Sequence, residues 1–380
     1  MTALTLIAEP FPDWEAPQHL AAARDLTIGV AATAPRACSA RYLASRGAHI
    51  PEFSSPRIRA EHLPVPAKSL PLIWRSGSAA RPLDGEFVHA VTPFVPLRQR
   101  DDDDGSQNTV TITHGLAWEA PELLGASQAR LYRSFVRRAA KYADAILATS
   151  HSVANLLQQH YGEDLPVQVL QLATPQEFLE PVDRAERAAA LGLPEQYAVT
   201  TATRGDHGRL EWIFDALRAN GSLPPVVVLE GLDPTAPVKP GPKPAANAAP
   251  GEQVEEPAIP VDLAGRVLMV TPRDLSDVGA ALAGASLLLQ PQSYATTGYT
   301  VLGALTASVP VLHAGHPATT ELVIDAGIIA ETSGDFGAEF TRLMGDAEEH
   351  ARYTVLALDR SRAFSWHNTA WQLWETHANL

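Results

Sequence analysis

Short apolar runs alternate with amphipathic stretches along most of the chain. Leu4–Ala8 (LTLIA), Leu26–Ala31 (LTIGVA), Phe87–Val91 (FVHAV), Val110–Thr113 (VTIT), Ala145–Ala148 (AILA) and Val167–Leu170 (VQVL) predict strands. Between them Ser127–Tyr142 has the clearest helical period: Leu131, Phe135, Val136, Ala139 and Tyr142 share one face, and the basic residues Arg130 to Lys141 lie largely on the others. Ser150 and Ser152 are N-cap candidates for a further helix over Val153–His160. Strand–helix alternation of this kind predicts right-handed crossovers and a parallel sheet covered on both faces.

A second series follows a Pro- and acid-containing linker, Ala173–Leu191. Ala198–Ala202, Val226–Leu229, Val267–Val270, Leu287–Leu289 and Val309–His313 predict strands, with helices over Leu210–Arg218, Leu275–Ala283, Val301–Ala307 and Ala318–Asp325. Asp233–Pro260, with eight prolines, reads as a flexible insertion outside the fold, and Asp101–Asp104 as a solvated acidic turn. The fold class expected is α/β: two doubly wound, Rossmann-like domains, residues 1–180 and 190–362, facing each other across a cleft.

Charge narrows the functional classes. The 380 residues carry 29 Lys+Arg against 43 Asp+Glu, a formal charge of −14, which argues against a nucleic-acid partner because no broad phosphate-neutralising surface is supplied. One cysteine, Cys38, excludes an internal disulfide and a cysteine-rich metal site. The acidic N-terminal segment does not resemble a secretory signal, and no apolar run approaches a membrane span; a soluble, cytoplasmic protein is the expectation.

In open parallel sheets ligands bind beyond the carboxyl ends of the strands, so the residues there are the ones to inspect. No glycine-rich dinucleotide fingerprint, P-loop or nucleophile elbow occurs, which disfavours a dehydrogenase, a P-loop ATPase and a serine hydrolase. His313 and His316 lack a partner that would complete a metal site, so no metal is expected. The informative segment is Gln290–Leu312. A strand ends at Gln290, a loop of small and hydroxyl residues follows, and a helix begins near Val301. Thr296, Thr297, Gly298, Tyr299 and Thr300 offer backbone amides, hydroxyls and a positive helix end to an anion such as phosphate. An N-capped strand-to-helix turn without a ligand is the plainer reading of the same residues.

This segment resembles the donor-binding stretch of glycosyltransferase family 4, the retaining GT-B enzymes. The frame Pro291, Gly298, Val301-Leu302-Gly303-Ala304-Leu305 and Val309-Pro310-Val311 carries the resemblance, as does Glu321 to Gly327. Ala143–Ser150 is similar to the segment closing the family's N-terminal domain, Thr111–His114 to its strand ending in a cleft histidine, and Phe364-Ser365-Trp366 to the start of its C-terminal helix. The similarity extends over roughly residues 105–375. It implies a GT-B fold whose last segment, 363–380, packs back on the N-terminal domain. It also implies a nucleotide-sugar as substrate, no cofactor, and an acceptor that is a glycan, a lipid or a small molecule. His114 would face the donor sugar, and the loop Thr296–Thr300 would hold the diphosphate.

The chain departs from that pattern at the residues that matter most. Ala295 stands where the resemblance places a glutamate on the donor sugar, Gly303 where it places a glutamate on the ribose, and Gly208 where it places a diphosphate lysine. Arg204 and Arg209 are the remaining candidates for a cationic clamp, since guanidinium groups match phosphate oxygens; a solvated turn pairing with Asp206 is the alternative. Phe11–Ala16 replaces the glycine-rich loop expected after the first strand. Three lost charge-assisted contacts total about 5–9 kcal/mol, enough to abolish ordinary donor binding unless something replaces them. Two functions lead on these residues: a retaining glycosyltransferase, and a catalytically inactive glycosyltransferase-like protein that binds a sugar, a nucleotide or a partner enzyme; a GT-B sugar-nucleotide epimerase is disfavoured because no cleft carboxylate motif stands out. Arg130–Lys141 reads as a solvated surface helix, with contact to an anionic membrane as its alternative. Trp366, Trp371 and Trp374 are expected to form the packing face of the terminal helix.

Overall fold

A computed structural model describes residues 2–78, 87–99, 105–232 and 259–380. Asp101–Asp104 and nearly all of the Pro-rich stretch 233–260 lie outside the described residues. The first lobe is built on strands β1 (Thr2–Ile7), β2 (Cys38–Ala44), β3 (Ile58–His62), β4 (Phe87–Ala90), β5 (Gln107–Ile112), β6 (Ala145–Ala148) and β7 (Val167–Val169), all parallel, in the order β3-β2-β1-β4-β5-β6-β7. Its helices are α1 (Ala16–Thr33), α2 (Leu70–Arg75), α3 (Leu116–Glu119), α4 (Pro121–Leu124), α5 (Ala126–Tyr142) and α6 (His151–Tyr161).

A connection containing α7 (Arg184–Ala190) leads to the second sheet. Its strands are β8 (Ala198–Thr200), β9 (Val226–Leu229), β10 (Val267–Val270), β11 (Leu287–Gln290), β12 (Val311–His313) and β13 (Gly327–Ile329), again all parallel, in the order β10-β9-β8-β11-β12-β13. Helices α8 (Leu210–Ala219), α9 (Leu275–Gly284), α10 (Tyr299–Thr306), α11 (Pro317–Val323), α12 (Ser333–Gly345), α13 (Ala347–Ser361) and α14 (Trp366–Asn379) complete the chain. Each sheet has its strand-order reversal beside its first strand, between β1 and β4 and between β8 and β11. The loops after β1 and β11 leave from the carboxyl ends at these switch points.

Runs such as AILA, VVVL and LLL are buried throughout because helices cover both faces of a parallel sheet. Leu26–Ala31 departs from the expected strand: it is the second half of α1. Thr27 satisfies its hydroxyl on the Ala23 carbonyl at 2.7 Å, while Leu26, Val30 and Ala31 are buried and Ile28 turns to solvent, so packing of one helical face overrides β-branched propensity. The stretch 173–191 is likewise more than a tether: Phe178 is fully buried within it, and α7 occupies its second half.

The last helix crosses back to the first lobe, where α14 lies along α1. Gly29 permits this approach: a Cβ there would stand 2.6 Å from the Trp366 carbonyl oxygen. Trp366 donates its indole N–H to the Thr174 carbonyl at 3.0 Å, and Trp374 donates to Val30 at 3.1 Å. Trp371 does not share their face; it is exposed. In α5, Arg138 donates to the Leu97 carbonyl and, with Lys141, lies near the Tyr142 ring. No helix among the described residues is long and apolar enough to cross a membrane.

Candidate functional site

The parallel strands direct their following loops into one interlobe cleft. From the first lobe come Phe11–Glu15, after β1, His114 after β5, and the amino end of α6 after β6. From the second come the Gln290–Gly298 loop, between β11 and α10, and His313–His316, between β12 and α11. His114, Gly115, Gln292, Ala295 to Gly298, and His316 line a common cavity of about 30 Å³, which has room for one or two waters.

His114 is the most deeply placed of these groups. Its ring is 1 % exposed and stacks between Tyr132 and Trp14, with centroids 4.8 and 5.7 Å away. Neither ring nitrogen has a hydrogen-bond partner among the described residues, and Nε2 stands 4.0 Å from Asp13 Oδ2, which is also unpartnered. Burial lowers the imidazole pKa to about 4 and raises that of the Asp13 carboxyl to about 7. The two therefore hold a neutral histidine against a carboxyl that takes a proton near neutrality, an arrangement able to give or accept a hydrogen bond with little charge in the cleft.

Across the cavity, Gly298 adopts φ 92° and turns the chain into α10, whose first residue is Tyr299, two positions before the expected start. Thr296, Thr297 and Gly298 stand at the cavity; Tyr299 and Thr300 are buried in the first turn of the helix. The Thr297 amide and hydroxyl are engaged by Glu15 of the first lobe, at 3.1 and 2.7 Å. Glu15 is fully buried; beside it stands His19, 3.7 Å from the same carboxylate, whose pKa burial holds down to about 3. The Tyr299 hydroxyl meets the other His19 ring nitrogen at 3.4 Å. Glu15 was not singled out by the sequence because its partner is 282 residues away. The one available signal was the replacement of the expected glycine-rich loop by Phe11–Ala16.

The arginines stand apart from this cavity. Arg204 pairs with Glu211 at 3.1 Å and lines a separate hollow of about 200 Å³ beyond β8 and β9. Arg209 adopts a left-handed conformation, φ 54°, and lays its guanidinium over Trp212, 4.6 Å from the ring centroid. His114 and the Thr296–Gly298 loop are thus brought together, and neither arginine joins them.

The departures from the family pattern have a steric side. A Cβ on Gly208 would fall well inside contact distance of the Thr203 carbonyl and hydroxyl oxygens. At Gly303 it would stand 2.7 Å from Leu282 Cδ1 and 3.3 Å from Phe178 Cδ2, so this position faces hydrophobic side chains and not the cleft. His313 and His316 serve local turns, accepting from the amides of Gly315 and Ala318 through Nδ1, both at 3.2 Å. This leaves the His316 Nε2–H facing Glu119, 3.7 Å away. Among the described residues no cluster of three or more His, Cys, Asp or Glu is placed to hold a metal ion.

Residues 19–172, most of the first lobe, match Glycosyltransferase Family 4. The first lobe is of the glycosyltransferase family 4 type. This stretch overlaps the similarity read from the motifs only over 105–172, and it stops short of the Gln290–Leu312 segment. No curated protein matches the chain in sequence. In structure the chain is similar to sucrose-phosphate synthase from Thermosynechococcus elongatus, with a TM-score of 0.70 and 16% identity over 100% of this chain and 99% of that one. It is also similar to HepE from Anabaena in complex with UDP-glucose (TM-score 0.60, 14% identity, 100% of both chains). WaaG, a glycosyltransferase involved in lipopolysaccharide biosynthesis, has a TM-score of 0.60 and 15% identity over 97% of both chains. The two lobes together form the GT-B fold.

Proposed function

We propose that the protein transfers a sugar from a nucleotide-sugar donor to an acceptor, with retention of configuration. The observation that carries this reading is the placement of His114. A buried imidazole with both nitrogens uncommitted opens into the interlobe cavity, facing the loop that leads into α10. Such a group is costly to bury without a ligand that completes its hydrogen bonds. The HepE structure, with UDP-glucose bound to the same fold, supports a nucleotide-sugar as the occupant.

In this reading the donor's diphosphate lies on the amides and hydroxyls of Thr296 and Thr297 ahead of α10, where Gly298 lets it approach. Arg204 leaves Glu211 and Arg209 leaves Trp212 to neutralise it. The sugar extends toward His114, whose neutral imidazole hydrogen-bonds a sugar hydroxyl. The bond from the anomeric carbon to the phosphate oxygen breaks, the acceptor oxygen bonds to that carbon from the same face, and the acceptor's proton passes to the departing phosphate. Protein groups position and stabilise the reacting atoms and none forms a covalent intermediate.

Ala295, Gly303, Gly208 and the Glu15 carboxylate at Thr297 favour a second reading, in which the chain binds a nucleotide or a partner enzyme without turnover. Calorimetric titration with a panel of nucleotides and nucleotide-sugars, followed by long incubation to detect donor hydrolysis, separates the two. Binding with slow hydrolysis that His114→Ala abolishes supports transfer. Binding without any hydrolysis supports the second reading, and no binding by any donor removes the first.

A further inference from the structure

The two lobes exchange carboxylates. Glu15 of the first lobe reaches the Thr297 amide and hydroxyl just ahead of α10 in the second lobe, at 3.1 and 2.7 Å. Glu321 of the second lobe reaches the amino end of α6 in the first: its oxygens accept from the amides of His151 and Ser152 at 2.7 and 2.8 Å. A carboxylate at a helix amino end takes the place that a phosphate oxygen would take, because both satisfy the same unpaired amides and the same positive dipole end. Each lobe thus presents an anion-receptive helix end to the cleft, and each end is met by an acid from the opposite lobe.

Two features make the Glu15 contact more than ordinary capping. It sits on the loop to which the donor's diphosphate is assigned, so the inference rests on the reading above. It is also continuous with a second cross-lobe link, since His19 stands between Glu15 and the Tyr299 hydroxyl. The cavity beside it, about 30 Å³, is too small for a nucleotide-sugar while these contacts hold.

We propose that Glu15 is an internal latch: it closes the lobes by occupying the Thr297 amide and hydroxyl, and an incoming diphosphate must displace it. The latch keeps the cleft shut in the absence of donor and makes donor binding and lobe opening one coupled event. Its strength sets the apparent donor affinity, because the binding-competent open form is only a fraction of the population.

The test compares wild type with Glu15→Ala, Glu15→Gln and Thr297→Val in the full chain. Hydrogen exchange at residues 296–299 and the radius of gyration from small-angle scattering report the latch without any ligand. Faster exchange of the Thr297 amide and a larger radius in Glu15→Ala, with a smaller effect in Glu15→Gln, support the latch. Unchanged exchange and radius overturn it, whatever binds. Thr297→Val removes only the hydroxyl contact, so it keeps the test open if Glu15→Ala fails to fold; an unchanged amide exchange there counts against the latch. Calorimetry with UDP and with inorganic pyrophosphate then addresses the ligand. Affinity tighter by about tenfold or more in Glu15→Ala supports displacement by a diphosphate. Equal affinities in wild type and variant overturn displacement and leave the donor reading intact. Open lobes with no binding of either probe support the latch and overturn displacement by a diphosphate.

Discussion

Gly208 lies against Thr203 so closely that any side chain at 208 would press into the Thr203 carbonyl oxygen. The lysine that the family resemblance would place there has no room. Restoring it by Gly208→Lys is therefore expected to destabilise the second lobe by about 1–3 kcal/mol, the usual cost of forcing atoms into a filled site. It is not expected to tighten nucleotide binding. Thermal melting and calorimetry on the same sample check both halves; a tighter-binding, equally stable variant would show that the loop 203–209 rearranges.

The clamp is a separate question, because Arg204 and Arg209 stand outside the cavity at His114. If they swing in when a diphosphate arrives, Arg204→Ala plus Arg209→Ala should abolish donor binding. Each charge-assisted hydrogen bond contributes about 1.5–3 kcal/mol, so the pair accounts for at least a hundredfold in affinity. His114→Ala should act differently, leaving nucleotide binding nearly intact and reducing turnover by about 10²–10³. Titration with the nucleotide alone and with the nucleotide-sugar separates these roles. Donor affinity unchanged in the double variant would remove both arginines from the site.

Five buried histidines fix the direction of the pH response. Burial is the largest cause of the lowered pKa in each, to about 3 in His19 and His89 and to about 4 in His114, His313 and His377. The unfolded chain takes up these protons as the pH falls through about 6.5, and the folded chain does not until about pH 3–4. Stability contributed by these groups is therefore complete above pH 6.5 and is lost progressively below it. Asp13, raised to about 7, and Asp25, also raised by burial, work in the opposite sense below neutrality, but they are two carboxyls against five rings. His377→Gln isolates one ring: its Nε2 meets the Thr109 hydroxyl at 3.2 Å and its Nδ1 faces the Gln107 carboxamide oxygen at 3.1 Å. The wild-type loss of stability between pH 7.5 and pH 5, measured by urea unfolding, should shrink by about 2 kcal/mol in this variant. An unaltered slope would mean that His377 titrates freely.

The elements legible in the sequence were those whose burial is local and two-sided. Val226–Leu229, Val267–Val270 and Ala145–Ala148 coincide with β9, β10 and β6 because continuous apolar runs of that length have few other uses. Cys38–Ala44 and Ile58–His62 carried no run of that length: β3 is an edge strand with exposed Arg59, Ala60 and His62, and in β2 Ser39 and Arg41 interrupt the apolar positions until the short stretch Tyr42-Leu43-Ala44. In the cleft, His114 and Gly298 were legible because each follows a recognisable strand. Glu15 and Glu321 were not, since a contact between residues 282 or 170 positions apart leaves no periodic trace. Gly208 and Gly303 looked like missing contacts in one dimension, and in three they are close-packing positions.

The return of α14 to the first lobe depends on Gly29. A methyl group there would meet the Trp366 carbonyl at 2.6 Å and Ala370 Cβ at 3.2 Å, pushing the two helices apart. Gly29→Ala therefore sets two effects against each other: about 1 kcal/mol gained from helix propensity in α1, and about 1–3 kcal/mol lost to overpacking. The second is expected to win, because the Trp366 and Trp374 indoles on either side are hydrogen-bonded to Thr174 and Val30 and resist sliding. The variant should melt earlier than wild type and lose hydrogen-exchange protection in 366–379 before the sheets do, since α14 is the element displaced. Gly29→Val, larger and β-branched, should extend both effects. A Gly29→Ala protein that melts later than wild type, with α14 still protected, would show that the helices separate without cost and that the glycine is not what holds them together.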